Sequence, residues 1–266
     1  MFQPLRRRLG NSALISHSVY AADRGGCVVP PQGLCYREPG RDMRLMDARH
    51  SLLDRLRSGV PDDRVIGAIA RVPRDSFVSE ESRHLAYEDI ALPIGLGQTI
   101  SQPMIVAMML RALDLRRSDR VLEVGTGSGY QAAVLAELVD EVVSVERIPT
   151  LANIARDRLA SLGYDGVSVV VADGPIGWQA GAPYDAIVVA AAAPKLLRGL
   201  MEQLATGGRL VIPVGSLESQ QLMKVVRSGD TFSVEDLGPC RFIPLIGDEA
   251  WPEPKAGGRY DDDSRC

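Results

Sequence analysis

The pattern of apolar and polar positions changes near residue 118. Before that point, apolar side chains recur at three- and four-residue spacing after residue 47, after Pro61 and after Pro103, which predicts three helices. Beyond it, short apolar runs alternate with helical patterns, as in a parallel sheet that carries helices on both faces. The predicted strands are 119–125, 141–146, 166–172, 184–191 and 208–214, and the predicted helices between them are 129–139, 150–162 and 195–204.

Three other stretches complete the predicted fold. Two apolar runs, 221–226 and 241–246, have no helix between them and are expected to form an antiparallel pair at one edge of the sheet. Residues 77–100 contain too much Gly and Pro for regular structure and are expected to form an ordered loop. The sequence therefore predicts an α/β fold with a Rossmann-like, doubly wound, mostly parallel sheet, an antiparallel edge strand pair and an N-terminal helical segment.

Both ends of the chain differ in composition from its middle. Residues 1–44 mix Gly, Pro and Ser with seven Lys/Arg and three Asp/Glu and have no periodicity, so a flexible basic extension is expected. A signal peptide is the alternative, because an arginine cluster precedes a mildly apolar stretch, but polar residues interrupt that stretch. Met43 or Met46 is an alternative translation start. Residues 248–266 have little to bury and are expected to form a flexible tail.

The overall composition excludes several classes of protein. With 45% hydrophobic and 24% charged residues the chain resembles an ordinary globular protein, and no apolar segment reaches the ~18 residues that a membrane span needs. The net charge of −4 argues against a surface that coats nucleic acid. The four cysteines and three histidines lack metal-ligand spacing, so no metal site is expected, and thiols in a reducing compartment are favoured over disulfides. A cytoplasmic monomer without membrane or nucleic-acid partners is expected.

A glycine-rich turn is the first chemical signal. An apolar run ends at Gly125, Gly127 and Gly129 and passes directly into a helical pattern, which predicts a strand, a tight turn and a helix. Such a turn suits a nucleotide-like ligand. A dinucleotide fingerprint would place its third glycine at position 130, where this chain has Tyr, so an NAD-dependent oxidoreductase is disfavoured.

Acidic residues near this turn indicate a ligand that contains a ribose. Glu123 precedes the turn, Glu146 ends the next predicted strand and Asp173–Gly174 follow the third. The carboxyl ends of parallel strands share one edge of a sheet, and a carboxylate there can accept both hydroxyls of a ribose. Together these residues favour S-adenosylmethionine, which has a ribose and an adenine but no pyrophosphate.

The residues around the predicted site favour a carboxylate as the methyl acceptor. Methyltransferases that act on base amines carry a polar-Pro-Pro-aromatic motif after the fourth strand, whereas this chain has small apolar residues over 188–194. A carboxylate is already ionised at neutral pH, so it requires orienting donors and no base. The hydroxyls of Thr99 and Ser101 fit that acceptor.

Several motifs, in this order, resemble those of the protein-L-isoaspartate O-methyltransferase family. The resemblance runs from about Arg44 to Gly247, and the Gln-Thr-Ile-Ser sequence at 98–101 is more diagnostic than the glycine turn, which class I methyltransferases share. The matching segments are 86–90, 97–103, 121–130, 173–174, 191–194, 207–215 and 241–245.

The resemblance implies an activity and a set of site residues. A methyl group would pass from S-adenosylmethionine to the free α-carboxyl of isoaspartyl residues in damaged proteins and peptides, and the ester would reclose to a succinimide that hydrolyses partly to Asp. The implied class I methyltransferase domain is 45–247, divided into helices and substrate loop (45–117), cofactor-binding core (118–215) and edge strands (216–247). Ser101 and Thr99 would hold the acceptor carboxylate, and the cofactor would contact Glu123, Gly125, Thr126, Gly127, Ser128, Gly129, Glu146, Arg147, Asp173 and Gly174. The substrate would contact Gln98 and Ile100, and its backbone would pair with a strand edge at Arg241, Phe242 and Ile243.

Two positions depart from the family pattern and two other functions stay open. Relatives often have His or an aromatic residue where this chain has Leu96, and bacterial relatives often have Thr where it has Ala190, which leaves fine substrate positioning open. The alternative functions are a class I methyltransferase that acts on a small-molecule carboxylate, and a cofactor-binding protein without transfer activity that works through its basic extension.

Overall fold

The computed structural model describes residues 43–172, 174 and 176–253. The helices are α1 (Met43–Gly59), α2 (Asp63–Arg71), α3 (Pro103–Leu113), α4 (Tyr130–Ala136), α5 (Pro149–Ser161) and α6 (Arg198–Met201), and short 3-10 helices lie at Arg74–Phe77, Arg83–Leu85 and Gln179–Gly181. The strands are β1 (Leu92–Gly95), β2 (Gln98–Ile100), β3 (Arg120–Val124), β4 (Glu141–Glu146), β5 (Val167–Val171), β6 (Tyr184–Val189), β7 (Leu204–Gly215), β8 (Gln220–Ser228) and β9 (Thr231–Cys240).

One mixed sheet contains β3 to β9 in the order β5-β4-β3-β6-β7-β8-β9. The strands from β5 to β7 are parallel, and β8 and β9 extend the sheet in antiparallel fashion. From β3 the chain runs outward through β4 to β5 and then returns to β6 on the other side of β3. The topological switch point, where doubly wound sheets bind ligands, therefore lies beside the carboxyl end of β3.

Consecutive residues of β3 face two separate hydrophobic cores. Val121 belongs to a core shared with side chains of α1 to α5, whereas Leu122 belongs to a core on the opposite face that includes Leu200 of α6. Both side chains are 0% exposed. Burial on both faces explains why the central parallel strands β3 and β6 read as nearly continuous apolar runs instead of alternating ones.

Several helices begin with residues that stabilise a helix N-terminus. The Asp62 carboxylate caps α2 by accepting hydrogen bonds from the backbone N–H groups of Arg64 (3.0 Å) and Val65 (3.2 Å). Helices α3 and α5 begin with Pro103 and Pro149, where the missing N–H has no partner to lose.

The predicted fold class is confirmed, but several boundaries were wrong. Residues 77–100 are not wholly irregular, because they contain the 3-10 helix Arg83–Leu85 and the antiparallel hairpin β1–β2. The second edge strand is β9 rather than 241–246, which forms no strand. The helix predicted at 195–204 is reduced to α6, and β7 begins four residues before the predicted strand at 208.

The predicted bounds of the two flexible ends also differ from those in the structure. Residues 43 and 44 belong to α1, and most of the predicted extension lies outside the described residues. The start of the predicted tail is part of the fold, because the Trp251 N–H donates to the Leu245 carbonyl at 3.0 Å. Within the described ranges, no helix is both long enough and apolar enough to cross a bilayer.

Candidate active site

A pocket opens at the carboxyl ends of β3, β4 and β6, at the switch point of the sheet. Together with its opening to solvent it encloses about 960 Å³, which is large enough for a nucleoside and an acceptor group. The glycine turn after β3 forms its floor, the 98–101 segment forms one wall, and residues 243–246 form another. Among the described residues, no group of three or more His, Cys, Asp or Glu side chains could hold a metal ion.

The glycine turn has a backbone that L side chains rarely adopt. The φ angles are +97° at Gly125, +53° at Gly127 and +88° at Gly129. A Cβ atom at Gly129 would lie 3.4 Å from the Ala155 side chain, so this glycine allows α4 and α5 to pack closely. Gly125 and Gly127 instead face the pocket, where the absent side chains allow a ligand to approach the backbone.

Glu146 is the acidic residue that lines the pocket beside the glycine turn. It ends β4 and is 6% exposed. Its Oε2 accepts a hydrogen bond from the Gly127 N–H at 2.9 Å, and its Oε1 accepts one from the Ile148 N–H at 3.0 Å. Each oxygen keeps a further lone pair, so the carboxylate is held in position and can still accept two hydroxyl groups.

Glu123 supports the same turn from beneath the pocket and does not line it. The Ser144 hydroxyl donates to Glu123 Oε2, and the Thr126 and Ser144 hydroxyl oxygens lie 2.6 Å apart. Either hydroxyl can be the donor in this second contact. Burial raises the pKa of Glu123 to about 8, opposed by the Ser144 hydrogen bond and assisted by the charge of Glu146. Burial thus favours the neutral form of Glu123.

The hairpin β1–β2 brings the 98–101 segment over the glycine turn. Ile94 of β1 packs there, since a Cβ atom at Gly127 would lie 3.4 Å from its Cδ1 atom. At the hairpin tip, Gly95, Leu96 and Gly97 all have positive φ, and the Leu96 side chain is 58% exposed. The hairpin directs Gln98, Thr99, Ile100 and Ser101 to the pocket.

Asp89 connects this segment to the start of α3. Its Oδ1 accepts a hydrogen bond from the Met104 backbone N–H at 2.8 Å, and its Oδ2 accepts one from Gln102 Nε2 at 3.0 Å. The Asp89 carboxylate therefore caps α3 from a distant part of the chain. It also binds Gln102, the residue that directly follows Ser101. The preceding loop is held by Arg74, whose Nε donates to the Ala86 carbonyl at 2.9 Å.

We expect Asp89→Ala to lower the free energy of unfolding by about 1–3 kcal/mol, because it leaves the Met104 N–H without its acceptor. Amide hydrogen exchange over residues 98–104 should also become faster, since this acceptor fixes the segment to α3. Denaturant titration and exchange mass spectrometry measure the two effects. Asp89→Asn keeps one acceptor oxygen and should lose less, and Asp230→Ala, at an exposed position, should change neither quantity. Unchanged exchange in Asp89→Ala would contradict this role.

Residues 241–246 cross the end of β6 and close the pocket. The Ala192 N–H donates to the Ile243 carbonyl and the Leu245 N–H donates to the Ala192 carbonyl, both at 2.8 Å. The Phe242 N–H donates to Gln220 Oε1 at 2.9 Å. The Phe242 N–H and the Ile243 carbonyl are therefore already paired within the protein, and pairing of a substrate backbone with residues 241–243 stays a prediction.

Most of the predicted site residues line one pocket. They are Gln98, Thr99, Ile100, Ser101, Gly125, Thr126, Gly127, Ser128, Glu146, Arg147, Gly174 and Ile243. Glu123, Gly129, Arg241 and Phe242 are not among its lining residues. Asp173 lies outside the described residues.

The pocket also has lining residues that sequence reasoning did not select. Apolar members include Val106, Val124, Val145, Ile176 and Leu245, and the polar members include Tyr130 and Gln131. Apolar residues carry no motif that marks a site. Gln131 offered a weak signal, because it interrupts an apolar helix start directly after the glycine turn.

Comparison with known proteins gives one consistent result. Residues 47–250 match the family model described as protein-L-isoaspartate(D-aspartate) O-methyltransferase. A protein-L-isoaspartate O-methyltransferase of Rhodopseudomonas palustris is 53% identical over 203 residues, which cover 76% of this chain and 93% of the relative. One of Pelobacter propionicus is 55% identical over 195 residues, which cover 73% of this chain and 87% of the relative.

Solved structures of the same enzyme family also resemble this chain. A protein-L-isoaspartate O-methyltransferase structure with 30% identity has a TM-score of 0.68 and covers 76% of this chain and 67% of its own. A Plasmodium falciparum structure described under the same enzyme name, in complex with S-adenosyl-L-homocysteine, is 26% identical with a TM-score of 0.63 and covers 73% of this chain and 96% of its own.

Proposed function

The chain belongs to the protein-L-isoaspartate O-methyltransferase family, and we propose that it transfers a methyl group from S-adenosylmethionine to the free α-carboxyl of L-isoaspartyl residues in damaged proteins and peptides. The observation that carries this proposal is the position of the 98–101 segment and Glu146 in the walls of one pocket. The first offers hydroxyl groups to an acceptor, and the second offers a fixed carboxylate to a ribose.

The residues of the pocket fit S-adenosylmethionine. Gly125 and Gly127 leave room for a ligand against the backbone, and each Glu146 oxygen is fixed by one N–H with a lone pair to spare. Val124, Val145 and Ile176 offer an apolar surface suited to adenine. Gly125, Thr126, Gly127, Ser128, Glu146, Arg147 and Gly174 would hold the cofactor, with Asp173 as a further candidate, and Glu123 would act indirectly by fixing Thr126. When bound, the cofactor supplies an electrophilic methyl group.

The protein's part in the reaction is to orient and enclose the acceptor. Ser101 and Thr99 donate hydrogen bonds to one carboxylate oxygen, and the other oxygen is left free to attack the methyl carbon. The cofactor, held by the glycine turn and Glu146, would supply the methyl group, and its sulfur would keep the electron pair of the broken carbon–sulfur bond. The carboxylate is ionised before it binds, so no proton has to move.

The titratable groups of the pocket support a carboxylate acceptor over an amine or hydroxyl. Among the described lining residues, only Tyr130, Glu146 and Arg147 carry ionisable side chains. Burial raises the pKa of Tyr130, and the lone pairs that the Glu146 oxygens keep beside their backbone N–H bonds are the ones proposed to accept the ribose hydroxyls. Neither group is free to remove a proton from an acceptor.

The substrate would be recognised mainly at the pocket mouth. Gln98 and Ile100 beside the acceptor hydroxyls, together with Ile243 across the pocket, are the proposed contacts, and Arg241 and Phe242 lie next in the chain towards solvent and β8. We assign the activity to a cytoplasmic monomer whose partners are isoaspartyl proteins and peptides rather than nucleic acid or membranes. Its catalytic domain is 45–247, with residues 45–117 and 216–247 flanking the cofactor-binding core.

The test is transfer of labelled methyl to two synthetic peptides that differ only in Asp versus isoAsp. Base-labile label should enter the isoAsp peptide alone. Ser101→Ala should lower kcat/KM by about tenfold or more, because a hydrogen bond to a charged acceptor is lost. Ser233→Ala, at an exposed position of β9, should behave as the wild type. Transfer to neither peptide by a protein that binds the cofactor would rule out the proposal and favour a small-molecule acid or a binding role.

A further inference from the structure

The Gln131 side chain is buried without any partner. It is the second residue of α4 and is 6% exposed, and neither its Nε2 nor its Oε1 has a hydrogen bond within the described part of the chain. It also lines the pocket. A buried amide is stable only if its donor and acceptor are satisfied. Both atoms are therefore available to groups that a ligand brings.

The other buried glutamines of the described residues differ from Gln131. Gln220 donates from Nε2 to the Ser216 carbonyl at 2.6 Å and accepts at Oε1 from the Phe242 N–H at 2.9 Å. Gln203 donates to the Ile176 carbonyl at 3.1 Å and accepts from the Trp178 N–H at 2.9 Å. The fold thus satisfies a glutamine where its role is structural, which makes the unpartnered amide at the pocket more informative.

Helix geometry places the Gln131 amide beside the glycine turn. Side chains in an α-helix lean towards the N-terminus, so that of Gln131 lies over the residues three and four positions earlier, Ser128 and Gly127. Gly127 also donates to the Glu146 carboxylate. The amide and the proposed ribose site are therefore neighbours along a single ligand-binding turn.

Chemical complementarity identifies the ligand group. The ribose hydroxyls are accounted for by Glu146, and the acceptor carboxylate offers only acceptor atoms, which would leave Oε1 of Gln131 unsatisfied. The amino-acid end of S-adenosylmethionine offers a carboxylate and an ammonium group. We propose that Gln131 binds this end, with Nε2 donating to the carboxylate and Oε1 accepting from the ammonium. This inference rests on the cofactor named in the proposed function.

The test compares two ligands that differ only in that end. S-adenosylhomocysteine carries the amino-acid group, whereas 5′-methylthioadenosine keeps the nucleoside and sulfur without it. Gln131→Met preserves length and removes both polar atoms, so calorimetry should find S-adenosylhomocysteine bound about tenfold or more weakly, with 5′-methylthioadenosine unchanged. The ligand-free variant should unfold at the same or a higher temperature, because two unsatisfied polar atoms are removed.

Gln220→Met is the matched control. It removes a satisfied buried amide, so it should lower thermal stability and leave the ratio of the two affinities as in the wild type. Equal weakening of both ligands by Gln131→Met, or no weakening of either, would overturn the inference. So would an increase in the KM of the isoAsp peptide alone, which would assign the amide to the acceptor. Because wild-type transfer is measured separately, failure here is distinguishable from failure of the proposed function.

Discussion

Replacing Glu146 by Ala should reduce the affinity for S-adenosylhomocysteine by about a hundredfold or more, because two hydrogen bonds from ribose hydroxyls to a charged acceptor are lost. The turn should also loosen, since the Gly127 and Ile148 N–H groups lose their acceptor. Isothermal titration calorimetry of the free protein measures the affinity without depending on turnover.

Glu146→Gln should be nearly as harmful as Glu146→Ala, although glutamine has almost the same shape. Each carboxylate oxygen accepts a backbone N–H, so an amide NH₂ on either side must face another donor. The control is Glu141→Gln, at the opposite end of β4, where the side chain is 56% exposed and pairs with Arg120. If Glu146→Gln bound the ligand as tightly as the wild type, the assignment of Glu146 to the ribose would be wrong.

The sequence predicted the cofactor side of this site, because local patterns of residues specify it. An apolar run, three alternating glycines and an acidic residue at the end of the next run are read directly, because strand order at a switch point follows from alternating strands and helices. Thr99 and Ser101 offered hydroxyls that suit a carboxylate, but only a family resemblance assigned Gln98 to Ser101 to an acceptor loop. The structure adds the hairpin and the Asp89 contact that direct this segment into the pocket.

The prediction at 241–246 failed for a physical reason. Its apolar side chains suggested a strand, whereas they cover the end of β6 and line the pocket. The true edge strand, β9, contains Glu235 and Asp236 and is largely exposed, so it lacks the apolar signal of a buried strand. An apolar pattern indicates burial rather than strand structure. At this edge of the sheet the apolar segment is 241–246, whereas the strand is the largely exposed β9.

Gln131 and Glu123 show a second limit of sequence reasoning. A pattern reveals a polar residue among apolar neighbours, but only coordinates reveal whether its atoms have partners. Glu123 has one oxygen bonded to Ser144, while its Oε1 atom has no partner among the described residues. Its burial, not its sequence position, determines its protonation.

Glu123→Gln should remove the pH dependence of stability that titration of Glu123 is expected to contribute. The pKa of this carboxyl rises from 4.5 to about 8 on folding, so between these values the folded protein binds a proton that the unfolded chain has released. Stability from this group is thus complete below pH 4.5 and declines as pH rises to about 8. The shift corresponds to a decline on the order of 5 kcal/mol at 1.36 kcal/mol per pKa unit.

Glutamine reproduces the neutral form of Glu123, because its carbonyl oxygen can still accept from Ser144 and its amide group carries no charge. The variant should therefore match the wild type near pH 5 and exceed it at pH 8.5, with the difference growing across the interval. Urea titrations at half-unit pH steps measure both curves. Glu235→Gln, at an exposed position of β9, should run parallel to the wild type. Parallel curves for Glu123→Gln and wild type would mean that Glu123 is ionised in the folded protein and that water solvates its second oxygen. The Ser144 hydroxyl, which also contacts Thr126, would then bind a charged carboxylate rather than a neutral acid.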